Sequence, residues 1–364
     1  MIAKTLTQLA AQLNRFLRQN FKLDEDIVLV SNLNESDGSA CTHINNKLAL
    51  FLVGVEKEAA IRNKPTLPDS GFSRSANSAP ALHLNLYIML AANFNSKAAE
   101  SFSVEVIGTG KPVLMIPGLM SDASVWRPTA EALANEYQLH LISIAGFAGK
   151  PAIEGDLLPR VKQQLLHYIE QNNLQQPAVV GHSLGAFMAF SLASTAPDKI
   201  GTVIAVDGLP YLAPVFTRTN DTTVAMMQGQ AAYLRQQYQQ MTSEQLKAMT
   251  AQGLFIQATS AAHQQQVLDM AATSDAKAAG QAVYELLTTD LRPQVHNISS
   301  KVLLIGASGA MATATDRSAA EALYQQQIAS IANATLEFNP QARHFIMLDQ
   351  PDWLAARIAR ALKD

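Results

Sequence analysis

One stretch of the chain has the residue types and spacing that could activate a nucleophile: Gly181-His-Ser-Leu-Gly185. The apolar run Pro177 to Val180 precedes it, and the Ala-rich segment Ala186 to Ala193 follows it. A strand, a Gly-x-Ser-x-Gly turn and a helix in immediate succession are typical of a nucleophile elbow, which exposes the serine hydroxyl. The N-terminus of the following helix stabilises developing negative charge. The pattern therefore predicts that Ser183 is a nucleophile.

A serine hydroxyl is a poor nucleophile near neutral pH, so it needs an imidazole that accepts its proton. The segment Ala342-Arg-His-Phe345 follows the last predicted strand and precedes the last predicted helix. A histidine in that loop lies at the same edge of a parallel sheet as Ser183, which makes His344 the predicted base. His182 is the immediate neighbour of Ser183, so its side chain points elsewhere.

The elements that must position these groups alternate between strands and helices from Ser103 onwards, which predicts an α/β fold with a doubly wound, mostly parallel sheet. The predicted strands are 104–107, 113–116, 139–145, 177–181, 200–206, 301–306 and 335–338, and the predicted helices are 122–137, 157–172, 186–193, 317–332 and 351–362.

The alternation stops between about 210 and 288, where the sequence predicts several helices and no strand. Open parallel sheets bind ligands at the carboxyl ends of their strands. A helical insertion between two consecutive strands is therefore expected to form a lid over that edge. The lid residues would set the substrate.

From Ser103 to the end, the chain resembles the α/β-hydrolase family. Three segments carry the resemblance: Ile116-Pro-Gly-Leu-Met-Ser-Asp-Ala-Ser-Val-Trp126, the Gly181 to Gly185 turn, and Ala342-Arg-His-Phe345. The first is similar to the family's oxyanion loop. The resemblance implies that the backbone N–H groups of Leu119 and Leu184 form the oxyanion hole. It also implies acyl transfer through a catalytic triad that needs no cofactor and no metal.

The resemblance leaves two candidates for the acid that orients His344. The family usually places this acid soon after the strand that ends at Gly306, but here Asp316 arrives only at the next helix. Some members instead carry the acid after the preceding strand, where this chain has Asp207. We prefer Asp207 and keep Asp316 as the alternative. Asp290 is interpreted as a helix cap or an anchor at the base of the lid.

Residues 1–96 are predicted to form a separate small α+β domain. The segments 23–33, 46–58 and 82–94 resemble the N-terminal domain of cap proteins that terminate the tube of contractile injection systems. The resemblance covers residues 1–94 and then stops, as if that domain were truncated. Residues 97–364 would be the hydrolase domain, so the chain reads as a fusion of two modules.

The composition and net charge of the chain argue against several classes of binding partner. The formal net charge of −3 at pH 7 offers no electrostatic basis for binding nucleic acid or an anionic membrane. The sequence contains no apolar run near the roughly 18 residues that a membrane-spanning helix requires. Cys41 is the single cysteine, which excludes an internal disulfide and a multi-cysteine metal site. Charged and polar residues interrupt the N-terminal apolar pattern, so we expect no signal peptide and a cytoplasmic or particle-associated protein.

The leading hypothesis is a serine hydrolase that cleaves a carboxylic ester through an acyl-enzyme on Ser183, with a small-molecule ester or acyl compound as its substrate. The alternative is a structural or docking component of a contractile injection particle, which carries the hydrolase-fold module and binds the particle through residues 1–94.

Overall fold

The computed structural model describes residues 100–363, all within the second of two compact units, Leu90–Asp364. The predictions for residues 1–96, including Cys41, lie outside the described residues. The strands are β1 Phe102–Ile107, β2 Lys111–Ile116, β3 Tyr137–Ile144, β4 Ala178–His182, β5 Val203–Val206, β6 Val302–Ala307 and β7 Ala334–Asn339. The α-helices are α1 Arg127–Leu133, α2 Leu158–Gln171, α3 Leu184–Thr195, α4 Ala213–Thr217, α5 Val224–Gln239, α6 Ser243–Ala251, α7 Leu254–Gln257, α8 Ala261–Ala272, α9 Ala276–Thr288, α10 Ala314–Ile328, α11 Ile346–Asp349 and α12 Pro351–Lys363.

The seven strands form one sheet in the order β1-β3-β2-β4-β5-β6-β7. β1 pairs with β3 in antiparallel orientation, and every other pairing is parallel. The predicted α/β class with a doubly wound, mostly parallel sheet is confirmed. The carboxyl ends of β4, β5 and β6 therefore meet at one edge, which is where such sheets bind ligands.

Alternate residues of each strand point to opposite faces of the sheet, and an apolar layer packs on each face. In β2, Leu114 and Ile116 belong to the layer that also contains Val161 of α2 and Phe190 of α3. Met115 points to the opposite layer, which the helices α1 and α12 cover. Both faces are buried, which explains why these strands read as nearly continuous apolar runs in the sequence.

Helix α3 is buried along almost its whole length, from Leu184 to Ser194. Its sequence is apolar on all sides and rich in alanine, as expected for a helix enclosed by the sheet and neighbouring elements. The small side chains allow the helix to pack closely behind β4. This packing fixes the position of Ser183, the residue at the start of the helix.

One predicted helix was wrong in its extent. Residues 122–137 were expected to be a single helix, but they form a 3-10 helix at Ala123–Trp126 followed by α1, and Tyr137 already begins β3. Asp122 caps the 3-10 helix by accepting a hydrogen bond from the backbone N–H of Ser124. Pro128 lies in the first turn of α1, a position that proline favours because its missing N–H has no intrahelical partner there.

The helices α4 to α9 form an insertion between β5 and β6, here called the helical insertion (residues 213–288). Arg292 ties its two ends together. The guanidinium is paired with Asp290 at 2.7 Å and donates a hydrogen bond to the carbonyl of Thr222, also at 2.7 Å. Asp290 therefore anchors the base of the insertion, the second of the two roles considered for it.

Glu285 of α9 links the insertion to the sheet domain. Its buried carboxylate accepts hydrogen bonds from the backbone N–H groups of Leu157 and Leu158, at 2.9 and 2.7 Å. These are N–H groups at the start of α2, which have no partner within the helix. Burial raises the pKa of Glu285, and hydrogen bonds from Gln281, Leu158 and Leu157 offset only part of that effect.

This raised pKa predicts how stability depends on pH. A carboxyl group that holds its proton more tightly in the folded state stabilises the fold fully below its ordinary pKa of 4.5, and that contribution is lost as the pH rises through the folded-state pKa. In thermal unfolding, the Tm of the wild type minus that of Glu285→Gln should fall as the pH rises above 4.5. A difference that is constant with pH, or that grows, would contradict this assignment.

Candidate active site

Ser183 lies in a sharp turn between β4 and α3, with φ 53° and ψ −113°. Its backbone N–H donates to the carbonyl of Val206 at 2.9 Å, which ties the turn to the end of β5. The two flanking glycines permit the turn, since a Cβ on Gly181 would lie 2.0 Å from the carbonyl oxygen of Gly185. A strained backbone at the serine and a glycine on either side of it are typical of a nucleophile elbow.

His344 and Asp207 are joined by a short hydrogen bond. Nδ1 of His344 lies 2.6 Å from Oδ2 of Asp207. The Asp207 side chain is 9% exposed, and the His344 side chain is 28% exposed. Asp207 directly follows β5 and its N–H donates to Ile305 of β6 at 2.7 Å, so the sheet itself fixes the carboxylate. Because Nδ1 is engaged, Nε2 is the ring nitrogen left to exchange a proton.

The second carboxylate oxygen of Asp207 is held by two further donors. Oδ1 accepts hydrogen bonds from the backbone N–H of Ala307 and from the hydroxyl of Tyr324, each at 3.0 Å. Burial, followed by the negative charge of Asp207, raises the pKa of Tyr324 well above its ordinary value. The phenol therefore stays protonated and acts as a donor. Sequence analysis missed Tyr324, because a tyrosine within a helix has no distinguishing spacing.

We expect Tyr324→Phe to lower kcat for ester hydrolysis about 2- to 10-fold with KM unchanged, the range that a net hydrogen-bond contribution of about 0.5–1.5 kcal/mol gives. The phenyl ring keeps the packing and removes only the donor to Asp207. Steady-state kinetics measure both constants. Tyr211→Phe is the matched control, because its buried hydroxyl donates to the carbonyl of Leu287 instead. Equal losses in the two variants would contradict a positioning role for Tyr324.

His182 supports the backbone of the His344 loop. The side chain is fully buried, and Nε2 donates a hydrogen bond to the carbonyl of His344 at 3.0 Å. Burial, then the neighbouring His344, holds the pKa of His182 well below its ordinary value. His182 is therefore a neutral imidazole that carries its proton on Nε2. Its ring packs against the rings of His344 and Phe345, with a centroid distance of 4.6 Å in each case.

The His344 loop is also hydrogen-bonded to α7 of the helical insertion. The backbone N–H of His344 donates to the carbonyl of Ile256 at 3.2 Å, and that of Phe345 donates to Gln257 at 2.8 Å. A second connection runs through Asp349, whose carboxylate accepts from the N–H groups of Arg343 and Thr259, at 2.9 and 2.8 Å. The position of the imidazole thus depends on the insertion as well as on the sheet.

The loop that contains Leu119 packs against the elbow. A Cβ on Gly118 would lie 2.8 Å from Nδ1 of His182 and 3.3 Å from Cβ of Ser183, so only a glycine fits there without displacement. Leu184 is the first residue of α3, and its N–H is one of the helix amides that lack an intrahelical acceptor. The residue before Leu119 thus lies against Ser183, and Leu184 follows Ser183 directly in the chain.

The predicted groups meet at one cavity of about 710 Å³, which is lined by Ser183, His344, Asp207, Leu119 and Leu184 together with mainly apolar side chains of the insertion. Asp316, the alternative acid, lies in the exposed first turn of α10, where its carboxylate accepts a hydrogen bond from Thr313 at 2.7 Å. Of the two candidate acids, Asp207 is the one bonded to His344.

Within residues 100–363, no group of three or more His, Cys, Asp or Glu side chains is placed to hold a metal ion. In the same range no helix is long and apolar enough to cross a membrane.

The sheet order, the elbow at Ser183 and the His344–Asp207 pair define a class of enzyme fold, and the chain belongs to it: a model of the alpha/beta hydrolase family matches residues 113–357. The resemblance seen in the sequence is thereby confirmed. The chain also carries a match to the Pvc16 N-terminal domain at residues 5–109, which confirms the second resemblance. The match extends past residue 94, where the resemblance was expected to stop.

Several relatives are esterases. The chain is 33% identical over 112 residues to a pimeloyl-[acyl-carrier protein] methyl ester esterase of Aeromonas salmonicida, which covers 30% of this chain and 42% of that protein. It is 27% identical to a putative carbamate hydrolase of Azorhizobium caulinodans, over 36% of this chain and 51% of that protein. The matches thus span about half or less of these two relatives. A longer match, 25% identical, covers 69% of this chain and 96% of the pimeloyl-[acyl-carrier protein] methyl ester esterase of Nitrosomonas europaea.

Solved structures share the fold. A thermophilic esterase from Thermogutta terrifontis superposes with a TM-score of 0.60 at 16% identity, over 72% of this chain and 93% of its own. The enol-lactonase of Burkholderia xenovorans gives a TM-score of 0.59 at 16% identity, over 72% and 96%. At this level of identity, the similarity establishes the fold alone.

Proposed function

We propose that this protein is a serine hydrolase that cleaves carboxylic esters through an acyl-enzyme on Ser183. The observation that carries the proposal is the 2.6 Å hydrogen bond between His344 and Asp207 at the cavity that Ser183 also lines. A buried carboxylate that accepts from Nδ1 leaves Nε2 unprotonated in the neutral imidazole. That is the state a general base requires.

In the first half of the reaction, Nε2 of His344 takes the proton of the Ser183 hydroxyl as its oxygen bonds to the ester carbonyl carbon. The carbonyl electron pair moves onto oxygen, where the N–H groups of Leu119 and Leu184 would stabilise the charge, each donor contributing about 3 kcal/mol. Collapse of this intermediate expels the alcohol, which takes the proton back from His344. Water activated by His344 then releases the acid and frees Ser183.

The cavity favours an apolar acyl or alkyl group as the substrate. Its wall includes Phe187 of α3 and, from the insertion, Met227, Leu234, Val283 and Leu286. The esterases among the relatives act on an ester, as their names state, which agrees with this class of substrate. We therefore infer an uncharged carboxylic ester rather than a charged or strongly polar one.

The test is turnover of nitrophenyl acetate and nitrophenyl butyrate by the full chain, followed by release of nitrophenol. The proposal predicts an initial burst of up to one equivalent of nitrophenol when deacylation is the slower step, and saturable turnover in every case. Hydrolysis no faster than in buffer, with both esters, would contradict the proposal.

The match of residues 5–109 to the Pvc16 N-terminal domain favours a second function, attachment to a contractile injection particle. We propose the domain boundary between residues 96 and 97. The pairing of β1 with β3 supports a boundary before Phe102, and the two compact units divide a few residues earlier, between Met89 and Leu90. Residues 1–96 would be the particle-binding module, and the hydrolase would then be particle-associated. Co-sedimentation of the full chain with such a particle tests this proposal, and recovery of all the protein in the supernatant would contradict it.

A further inference from the structure

Three apolar side chains mark the opening of the cavity. Val215 and Phe216 of α4 and Ile256 of α7 all line the cavity, yet they are 42%, 65% and 44% exposed. A residue that contacts both the cavity and the solvent lies where the two meet. We call these three residues the cavity rim.

The cavity rim lies close to the reacting groups. The carbonyl of Ile256 accepts the backbone hydrogen bond of His344 at 3.2 Å, and α4 follows the loop that begins at Asp207. The cavity wall as a whole is mainly apolar. An acyl chain attached to Ser183 would therefore meet mostly apolar side chains within the cavity.

The distribution of charged residues also restricts which ligands can bind at the cavity rim. Within the helical insertion, all of which the structure describes, no Lys, Arg, Asp or Glu lines the cavity. The insertion holds nearly equal numbers of the two signs, four Lys or Arg and five Asp or Glu. Arg343, outside the insertion, also lines the cavity, but its guanidinium already donates to the carbonyl of Ala258 at 3.0 Å. No charged side chain of the insertion would therefore compensate a charged group as it leaves water. The matching ligand is an uncharged hydrocarbon.

We propose that the cavity rim is a subsite for the distal methylenes of a long, uncharged acyl chain, so that the protein selects long-chain over short-chain esters. The inference rests on the proposed esterase function and names its substrate class. A short acyl group on Ser183 would cover less of the exposed surface of the cavity-rim residues than a long one. Longer ones cover Phe216 and Ile256 and remove apolar area from water on both sides.

The experiment compares kcat/KM of the full chain for nitrophenyl acetate, butyrate, octanoate and dodecanoate, each below its aggregation concentration. In the wild type kcat/KM should rise along the series. The double variant Val215→Gln with Phe216→Gln should lose about tenfold on the dodecanoate, as expected when one or two methylenes lose their apolar contacts. Its kcat/KM should stay within about twofold of the wild type on the acetate and butyrate.

The matched control is the double variant Met226→Gln with Tyr233→Gln on α5. These side chains are 65% and 60% exposed but do not line the cavity. The control removes as much exposed apolar surface and should leave the whole series unchanged. Circular dichroism and thermal unfolding of both double variants verify that they are folded.

Equal losses on all four esters, no loss on any, or the same selective loss in the control would overturn the subsite. Wild-type binding to neutral phosphatidylcholine vesicles that the rim variant loses, with unchanged kinetics on monomeric esters, would show that the rim binds a lipid surface instead. A change in oligomeric state confined to the rim variant would show a contact between copies instead. Absence of turnover by the wild type on every ester, the short ones included, would instead be the failure of the proposed function.

Discussion

Replacing Ser183 by alanine is expected to lower kcat for ester hydrolysis by about 10⁴- to 10⁶-fold, since without the nucleophile the acyl-enzyme cannot form. The turn itself should persist because β4, α3 and the hydrogen bond to Val206 involve only backbone and neighbouring side chains. Steady-state kinetics on nitrophenyl butyrate measure the loss, and thermal unfolding verifies the fold.

Ser194→Ala provides the matched control for that experiment. Ser183 precedes α3, and Ser194 is a buried serine near the other end of that helix, where its hydroxyl donates to the carbonyl of Ser191. Its replacement should leave kcat and KM unchanged. Substantial activity in Ser183→Ala, more than about a hundredth of the wild type, would mean that another group attacks the ester.

The second large effect is expected for Asp207→Asn, about a 10⁴-fold loss in kcat. Oδ1 of Asp207 already accepts from Ala307 and Tyr324, so the asparagine oxygen would keep that position and its NH₂ group would face His344. Nδ1 would then have to accept instead of donate, which places the imidazole proton on Nε2. An Nε2 that carries a proton cannot take one from Ser183.

The backbone conformation at residue 207 allows this substitution without a change in the turn. Asp207 has φ +47°, a conformation that asparagine also adopts more readily than most residues, so the turn after β5 should be retained. Asp316→Asn is the control, because the carboxylate of Asp316 is hydrogen-bonded to Thr313 on an exposed helix turn. The kcat of this variant should match that of the wild type. The opposite result, in which only the Asp316 variant loses activity, would reassign the acid.

The sequence was sufficient to predict the fold class and the local geometry around Ser183. A β-branched run, two glycines around a serine and an Ala-rich helix constrain the backbone through short-range sterics alone. The position of His344 after the last strand followed from the shared edge of parallel strands. These predictions rest on local patterns, which is why they could be read without coordinates.

The choice between Asp207 and Asp316 could not be made from local patterns. Both follow strands of the sheet, and the distance of either from His344 depends on the pairing of β5 with β6 and on the course of the loop after β7. The contacts of Tyr324 and Asp349 escaped prediction for the same reason. The hydrogen bond from Tyr324 to Asp207 joins residues that are 117 positions apart, and the one from Thr259 to Asp349 joins residues that are 90 positions apart.

The insertion was predicted to be helical, but its packing was not. Apart from α9, its longer helices are only weakly amphipathic, so the sequence does not specify which of their side chains face the cavity. The bonds from His344 and Phe345 to α7 are main-chain contacts and carry no side-chain signature. In the proposed esterase, this packing would select the substrate, and the cavity rim that it forms is visible only in the structure.

The most direct test of the central claim is covalent labelling of the full chain with a fluorophosphonate, followed by peptide mass spectrometry. The account predicts one phosphonylated residue, Ser183, with labelling that is much slower in His344→Ala and absent in Ser183→Ala. Labelling that persists in Ser183→Ala, or a wild-type protein that the reagent leaves unmodified, would contradict it.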